Sequence, residues 1–320
     1  MDFQLSDDQR ALRAGVRDLL AGRFGRDRMR AALESGTAVD PALWRELGDA
    51  GFFALRLPEA EGGVGLGLPE AVLLFEEAGR VLLPGPLIAT HLAAGAVKGA
   101  ARGEAVVAAA DAGQPVAHLG GADALLVLGD VACGLVRDAG PVREAAVSVR
   151  STDPFTPLWR PAGPVTADEP LPPGGGHPRD EGALLAAAEQ LGSAARTTEM
   201  AVEYAGTREQ FGAPIGSFQA VKHLCAGMLV RAELARCAVY AAAVTADPVE
   251  IAGAKLLADD AAVHNARDCL QVHGGMGFTW ESDVHLHLKR AWLRAGQWRT
   301  AAAAEEVLAG DLCRIRTNSC

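Results

Sequence analysis

At 320 residues the chain is too long for one simple core and points to two or three domains. Its 49% hydrophobic and 22% charged content is ordinary for a soluble globular protein, and a net charge of -10 sets its long-range field against nucleic acid or an anionic membrane as main partner. The six cysteines form no CxxC pair or zinc spacing, the start has no signal-peptide pattern, and the apolar runs are too short or too interrupted to span a bilayer; a reduced, cytoplasmic protein without structural disulfides or a metal site is expected.

In chain order, residues 1 to about 103 are expected to be helical. Phe3, Leu5, Leu12, Val16, Leu19 and Leu20 recur at helical spacing behind a Ser6-Asp7-Asp8 cap, and a second amphipathic segment with Leu43, Trp44 and Leu47 follows Asp40-Pro41 and stops at Gly51. Leu57 to Arg80 reads as a Gly-rich loop running into a helix, with Pro69 and Glu70 in the first turn. Its GxGxG-like run lacks the preceding strand and the Lys-Ser/Thr ending of a phosphate loop, so a plain connection is the favoured reading.

Between about 104 and 179 the texture changes to short apolar runs, at 105–108, 124–128, 134–136 and 145–149, separated by Gly, Asp and Pro. That is a strand-and-turn pattern, ending in a Pro/Gly-rich tail from Pro161 to Pro178. From 180 to 320 the chain is Ala-rich and helical again. A long first helix reaches Arg208, a second runs from Ser217 to about Thr245, a third from Val249 to about Val272, a fourth from Glu281 to near Gln297, and Thr300 to Gly310 offers a fifth. Blocks of helix, strand and helix make an α+β, mainly α fold, with a small β domain and a C-terminal four-helix bundle.

Two stretches carry the chemistry. In Arg208-Glu209-Gln210-Phe211-Gly212 one helix end delivers a guanidinium, an amide and an aromatic ring into a tight Gly/Pro turn; Arg matches a pyrophosphate with paired donors, and Phe offers a flat face. Alone, the same residues also suit a helix C-terminus with a dipole-compensating Arg and a core Phe. Gln271 to Glu281, QVHGGMGFTWE, ends the third helix in a Gly-rich turn where a backbone can approach a ligand and Gln271 can bond it. The bland alternative is a Gly-terminated helix with Phe278 and Trp280 buried as a pair and His273 as a structural hydrogen-bonder.

Together, YAGTREQFGAPIGSFQAVKHLCAGM and QVHGGMGFTWE strongly resemble the C-terminal helical domain of the acyl-CoA dehydrogenases, and LPEAEGGVGLGLPEAVLLFEEAGR resembles their N-terminal domain. The resemblance covers most of the chain outside the β segment. It implies FAD shared across a subunit boundary, with Arg208, Gln210 and Phe211 reaching a neighbour's FAD pyrophosphate and adenosine side. Ile215, Phe218 and Gln219 would line it, and Gln271 with Gly274 and Gly275 would contact its far end. It also implies α,β-dehydrogenation of an acyl-CoA substrate and admits electron-transfer flavoprotein as a partner.

Two departures refine this. The family's flavin-walling serine loop and Trp-containing strand have no counterpart between Glu104 and Pro178, where Trp159 stands in the different context PLWRPAG. The family's catalytic base, a Glu that accepts the α-proton, falls by ungapped counting from Lys289-Arg290 on Arg299, and guanidinium stays protonated. A minority of the family places the base at the start of the first C-terminal helix, which falls at Gly182, one residue from Glu181; one helical residue rotates a side chain by about 100°. Glu189 is in register with neither position.

This set of losses resembles the short, non-catalytic subunit of heteromeric α2β2 acyl-CoA dehydrogenases, flavoprotein oxidoreductases acting on steroid side chains and similar bulky acids. It implies a heterotetramer in lipid metabolism whose partner supplies the flavin bed and base. A self-sufficient homo-oligomer using Glu181, and a non-enzymatic scaffold on the same fold, remain as alternatives.

Overall fold

The computed structural model describes residues 4–35, 39–129, 131–172 and 175–318. Phe3 and Cys320 lie outside the described residues, as do Pro173 and Gly174 of the Pro/Gly-rich tail. The chain forms two compact units, one of residues 1–74 and 83–182, the other of residues 75–82 and 183–320.

In the first unit, α1 (Asp7–Arg23) starts with a capping box in which Gln9 N donates to Ser6 Oγ and Ser6 N donates to the Gln9 side chain. After α2 (Arg26–Ser35), α3 (Pro41–Asp49) is capped by Asp40, with Pro41 in the first turn and Gly51 at φ +79° beyond its end. Trp44 of α3 is buried beside Phe53, 4.7 Å between ring centroids. Two glycines let chain press on it: a Cβ on Gly103 would stand 2.1 Å from Trp44 O, and one on Gly85 2.5 Å from its ring. Helix α4 (Leu68–Arg80) opens where Gly67 N donates to Glu70, as its Pro69-Glu70 start predicts, and the short α5 (Leu87–Leu92) follows.

The β segment resolves into two sheets. β1 (Val107–Asp111), β3 (Ala124–Leu128), β4 (Gly134–Val136) and β7 (Glu169–Pro170) make one, in the order β1-β3-β4-β7, with β1 and β3 parallel and Val107 opposite Ala124. β2 (Val116–Ala117), β6 (Leu158–Arg160) and β5 (Val147–Val149) make the other, and α6 (Gly140–Glu144) lies between β4 and β5 in the chain. Ala108, Leu125 and Val136 of the first sheet share one core with Val116 and Trp159 of the second. Trp159 is therefore a strand residue, which its Pro-flanked context hides, and Gly120 lies against its ring, where a Cβ would come within 2.5 Å. The tail after Pro161 likewise contributes β7 rather than serving only as a linker, because two residues pair there with β4.

The second unit holds most of α7 (Pro178–Thr207), then the two-strand hairpin β8 (Glu209–Gln210) and β9 (Ala213–Pro214), α8 (Gln219–Thr245), α9 (Pro248–His273), α10 (Val284–Arg294) and α11 (Ala301–Asn318). The four expected bundle helices are present, and a fifth, α11, packs on α9. Asp247 caps α9 through the Val249 and Glu250 amides, with Pro248 in the first turn. Glycines set the closest crossing, since a Cβ on Gly192 of α7 would stand 1.9 Å from Glu76 O, and one on Gly79 2.0 Å from Glu189 O.

Alanines let these helices approach, and a polar string runs between them. Glu189 pairs with Arg294, Gln190 donates to Asp259 (3.0 Å) and to Ala291 O (3.0 Å), and Lys255 pairs with Asp259. Asn265 donates to Ala194 O, Thr198 Oγ1 and Met228 O, and accepts from Arg231 (2.8 Å), tying α7, α8 and α9 together. Burial pushes the Glu189 and Asp259 carboxyls up and the Lys255 amine down, against the pull of their paired charges. No helix among the described residues is long and apolar enough to cross a membrane.

Candidate functional site

The α7 helix stops at Thr207, where Arg208 N still bonds back to Tyr204 O (2.8 Å) and Ile215 N closes the hairpin base on Arg208 O (2.7 Å). Between β8 and β9 only Phe211 and Gly212 turn the chain, at φ +56° and +78°. Two successive positive φ values are what a two-residue hairpin of this twist requires. For Gly212 that conformation is free; for Phe211 it costs about 1 kcal/mol or more. The return is position, because Phe211 stands at the tip with 94% of its surface exposed, its ring T-shaped to that of Phe218 at 6.1 Å between centroids.

Arg208, Gln210 and Gln219 are also exposed, and the Arg208 guanidinium has no ion pair or side-chain hydrogen bond among the described residues. Among the described residues the Gln210 amide donates to the neighbouring Glu209 O (2.7 Å), and its oxygen has no partner. Ile215 behaves differently: it is half-buried against the bundle's core cluster with Tyr204, Val221 and Leu224.

The second stretch ends α9. Gly274 takes φ +58° and ψ -140°, a region open to glycine alone, and starts a tight 3₁₀ turn to Phe278. Gln271, Gly274 and Gly275 are exposed, and a Cβ on either glycine would meet nothing within 4 Å, so a ligand has room to approach the backbone there. Phe278 and Trp280 are not the buried pair that the helix-stop reading expects. Phe278 is 76% exposed, and Trp280 stacks on His285 at 5.0 Å with Lys289 Nζ 4.7 Å above its ring. The tight turn throws both side chains away from the core.

The two stretches meet. Tyr204 of α7 and His273 of α9 stack at 4.1 Å between centroids, and residues from both stretches pack on the same cluster with Leu270 and Val272. His273 Nδ1 lies 2.8 Å from Cys269 O, a structural role. One end of the bundle thus shows the Arg208 guanidinium, unpaired among the described residues, the three exposed amides of Gln210, Gln219 and Gln271, two exposed glycines and the exposed rings of Phe211 and Phe278. Chemically such a set matches a pyrophosphate joined to a planar base.

Arg299 lies at the opposite end of α9, where its Nη1 donates to Pro248 O (3.3 Å). At 1.5 Å per residue, Pro248 and Gln271 are about 35 Å apart along the helix. Trp298 before it is buried at φ +63°. In the first unit, both Glu181 oxygens accept from Arg56, each at 2.8 Å. Neither that fork nor the polar string between the helices is visible from spacing alone.

Residues 6–102 match the family described as acyl-CoA dehydrogenase, N-terminal domain, and residues 180–311 match acyl-CoA dehydrogenase, C-terminal domain. Acyl-CoA dehydrogenase IpdE2 of Mycobacterium tuberculosis (strain ATCC 25618 / H37Rv) is 39% identical over 292 residues, covering 89% of this chain and 91% of the relative. The chain belongs to the acyl-CoA dehydrogenase family. An acyl-CoA dehydrogenase is an oxidoreductase acting on a CH–CH bond of an acyl-CoA, and FAD is the characteristic cofactor. Among solved relatives of this acyl-CoA dehydrogenase, a variant of the Tcur3481–Tcur3483 steroid enzyme superposes with TM-score 0.82 at 27% identity, over 98% of this chain and 99% of that one. The ChsE4–ChsE5 complex from Mycobacterium tuberculosis superposes with TM-score 0.81 at 25% identity, over the same shares.

Proposed function

We propose that this chain is the FAD-sharing, non-catalytic subunit of a heteromeric, cytoplasmic acyl-CoA dehydrogenase of α2β2 type, acting on a CoA thioester of a steroid side chain or another bulky acid. In this reading residues 1–103 are the N-terminal helical domain, 104–179 a reduced β domain, and 180–320 the capping and oligomerisation domain. The observation that carries it is Phe211: a large apolar ring held at strained φ on a hairpin tip, beside an unpaired Arg208, is built to meet something outside its own chain. The donor set fits the phosphates and adenosine side of FAD, with Arg208 and Gln210 for phosphate oxygens, Phe211 and Phe218 for a flat face, and Gln271 with Gly274 and Gly275 for the nucleotide's far end. When bound, FAD supplies the acceptor for the hydride leaving the β-carbon; this chain's part is to hold the nucleotide and exclude water from it. Relatives described as a steroid enzyme and as a two-chain complex support the substrate class and the partner.

The base must then come from the other chain. Arg299 cannot accept a proton, and Glu181 spends both oxygens on Arg56, which counts against the self-sufficient reading. A bare scaffold would gain nothing from Phe211's strain. Electron-transfer flavoprotein is an acceptor this reading admits. The test is to purify the chain alone and with a co-produced catalytic relative, reading flavin absorbance and solution mass. A colourless single chain and a yellow, active complex are expected, and Arg208→Ala should strip flavin from the complex. Stoichiometric flavin in the isolated chain, or unchanged flavin in the Arg208→Ala complex, overturns the assignment.

A further inference from the structure

The two stretches assigned to the nucleotide touch through one pair of rings. Tyr204 of α7 and His273 of α9 lie nearly parallel, 18° apart and 4.1 Å between centroids, and both are half-buried. Each stands beside groups that the nucleotide would meet. Tyr204 O accepts from Arg208 N (2.8 Å), so the turn of helix at Tyr204 carries the root of the hairpin. His273 stands between Gln271 and Gly274, and Gly274 N donates to Gln271 O across it.

Three contacts hold the His273 ring in place. A carbonyl only accepts, so Nδ1 carries the proton and donates to Cys269 O (2.8 Å), one turn back, which fixes the tautomer and the direction of the side chain. Tyr204 covers a face of the ring. Gly277 closes over the root of the side chain, where a Cβ would stand 3.0 Å from His273 Cβ and 3.1 Å from Leu270 O. Neither the Tyr204 hydroxyl nor His273 Nε2 has a partner among the described residues, so ring contact is what joins the pair. Stacked rings fix distance and tilt more closely than flexible aliphatic chains do.

We infer that Tyr204 and His273 are positioning residues: their stack holds the Arg208 hairpin and the Gly274 turn at one spacing, so that the two stretches grip the nucleotide together. This rests on the FAD-holding reading above and adds to it a coupling between contacts that would otherwise act separately. Preorganisation of this kind tightens binding by reducing the ordering that a ligand must impose.

The test uses the co-produced complex, with release of FAD after dilution followed by flavin fluorescence. His273→Ala should speed release about tenfold, the most that one aromatic pair supplies. His273→Phe keeps a ring against Tyr204 and should stay within about twofold of the parent, while His273→Asn keeps a donor for Cys269 O without the ring and should behave like His273→Ala. Coupling is read from a second set. In the parent, the joint effect of Arg208→Lys and Gln271→Ala should differ at least about threefold from the product of their separate effects, and in the His273→Ala background the effects should multiply. Circular dichroism of each variant confirms folding, and Tyr204→Leu, which breaks the stack from the other side, replaces His273→Ala if that variant does not fold. Unchanged release in the stack-breaking variant, rescue by Asn instead of Phe, or multiplying effects in the parent overturns the inference. The FAD-holding reading fails separately, when the Arg208→Ala complex keeps its flavin.

Discussion

The His287 ring gives a stability experiment with a worked magnitude. It lies fully buried on α10, with Nδ1 2.8 Å from Ser193 Oγ of α7. Burial, then the positive charges of Arg196, Arg290 and Arg80, push its pKa from 6.5 to about 3, and Asp283 offsets this only in part. A depressed histidine stabilises the fold fully above pH 6.5, and that contribution is lost as pH falls toward 3, because the unfolded chain takes up the proton first. Between pH 6.5 and pH 5 the native ring stays neutral while the unfolded one charges, which costs about 2 kcal/mol at 1.36 kcal/mol per pH step. His91 of the first unit, lowered to about 4 by burial and Arg56, carries the same kind of linkage. It is common to parent and variant, so it cancels in their difference. His287→Asn keeps a polar group near Ser193 and removes the titration. Urea unfolding of both proteins at pH 7.5 and pH 5, followed by circular dichroism, should show the variant losing about 2 kcal/mol less than the parent. Equal losses would mean that His287 does not carry this linkage.

Other perturbations read other parts of the chain. Gly192→Ala drives a methyl into the Glu76 carbonyl and should cost about 3 kcal/mol in urea unfolding, whereas Gly253→Ala, with open space around it, should not destabilise. Asn265→Leu strips donors from the buried Ala194 and Met228 carbonyls and removes the acceptor of Arg231 Nε, which keeps only its pairing with Asp268; a loss of about 3 kcal/mol is expected by the same measurement. Glu181→Gln should leave turnover of the co-produced complex within about twofold, while a loss of about a hundredfold would make Glu181 the base after all. Phe211→Gly relieves the positive φ, so the isolated chain should keep or gain up to about 1 kcal/mol while the complex loses flavin on gel filtration.

Helix ends are the most legible part of the fold, because their signals are local: the Ser6 box and the Asp40-Pro41 start announce themselves. The apolar run 124–128 is equally plain as a strand. β2, β6 and β7 are not, since two or three residues carry no alternation and depend on partners far along the chain. For the candidate site, spacing and resemblance locate the two stretches but not the direction of each side chain. Ile215 and Phe278 look alike in sequence, yet one packs on the core and the other faces out. The polar string is hidden for a related reason: Lys255 and Asp259 four residues apart read as a solvated surface pair until α7 and α10 close over them.

The α9 helix also acts as a ruler. Lys255, Asp259 and Asn265 fix its rotation against three neighbours, while its two ends hold the Arg299 contact and the Gly274 turn. One inserted residue would advance everything beyond it by about 1.5 Å and turn it by about 100°. Every buried bond past the insertion would then face the wrong way. Length variation in this half of the molecule therefore belongs in the turns around 246–247 and 295–300, and α9 itself should be intolerant of a single insertion or deletion.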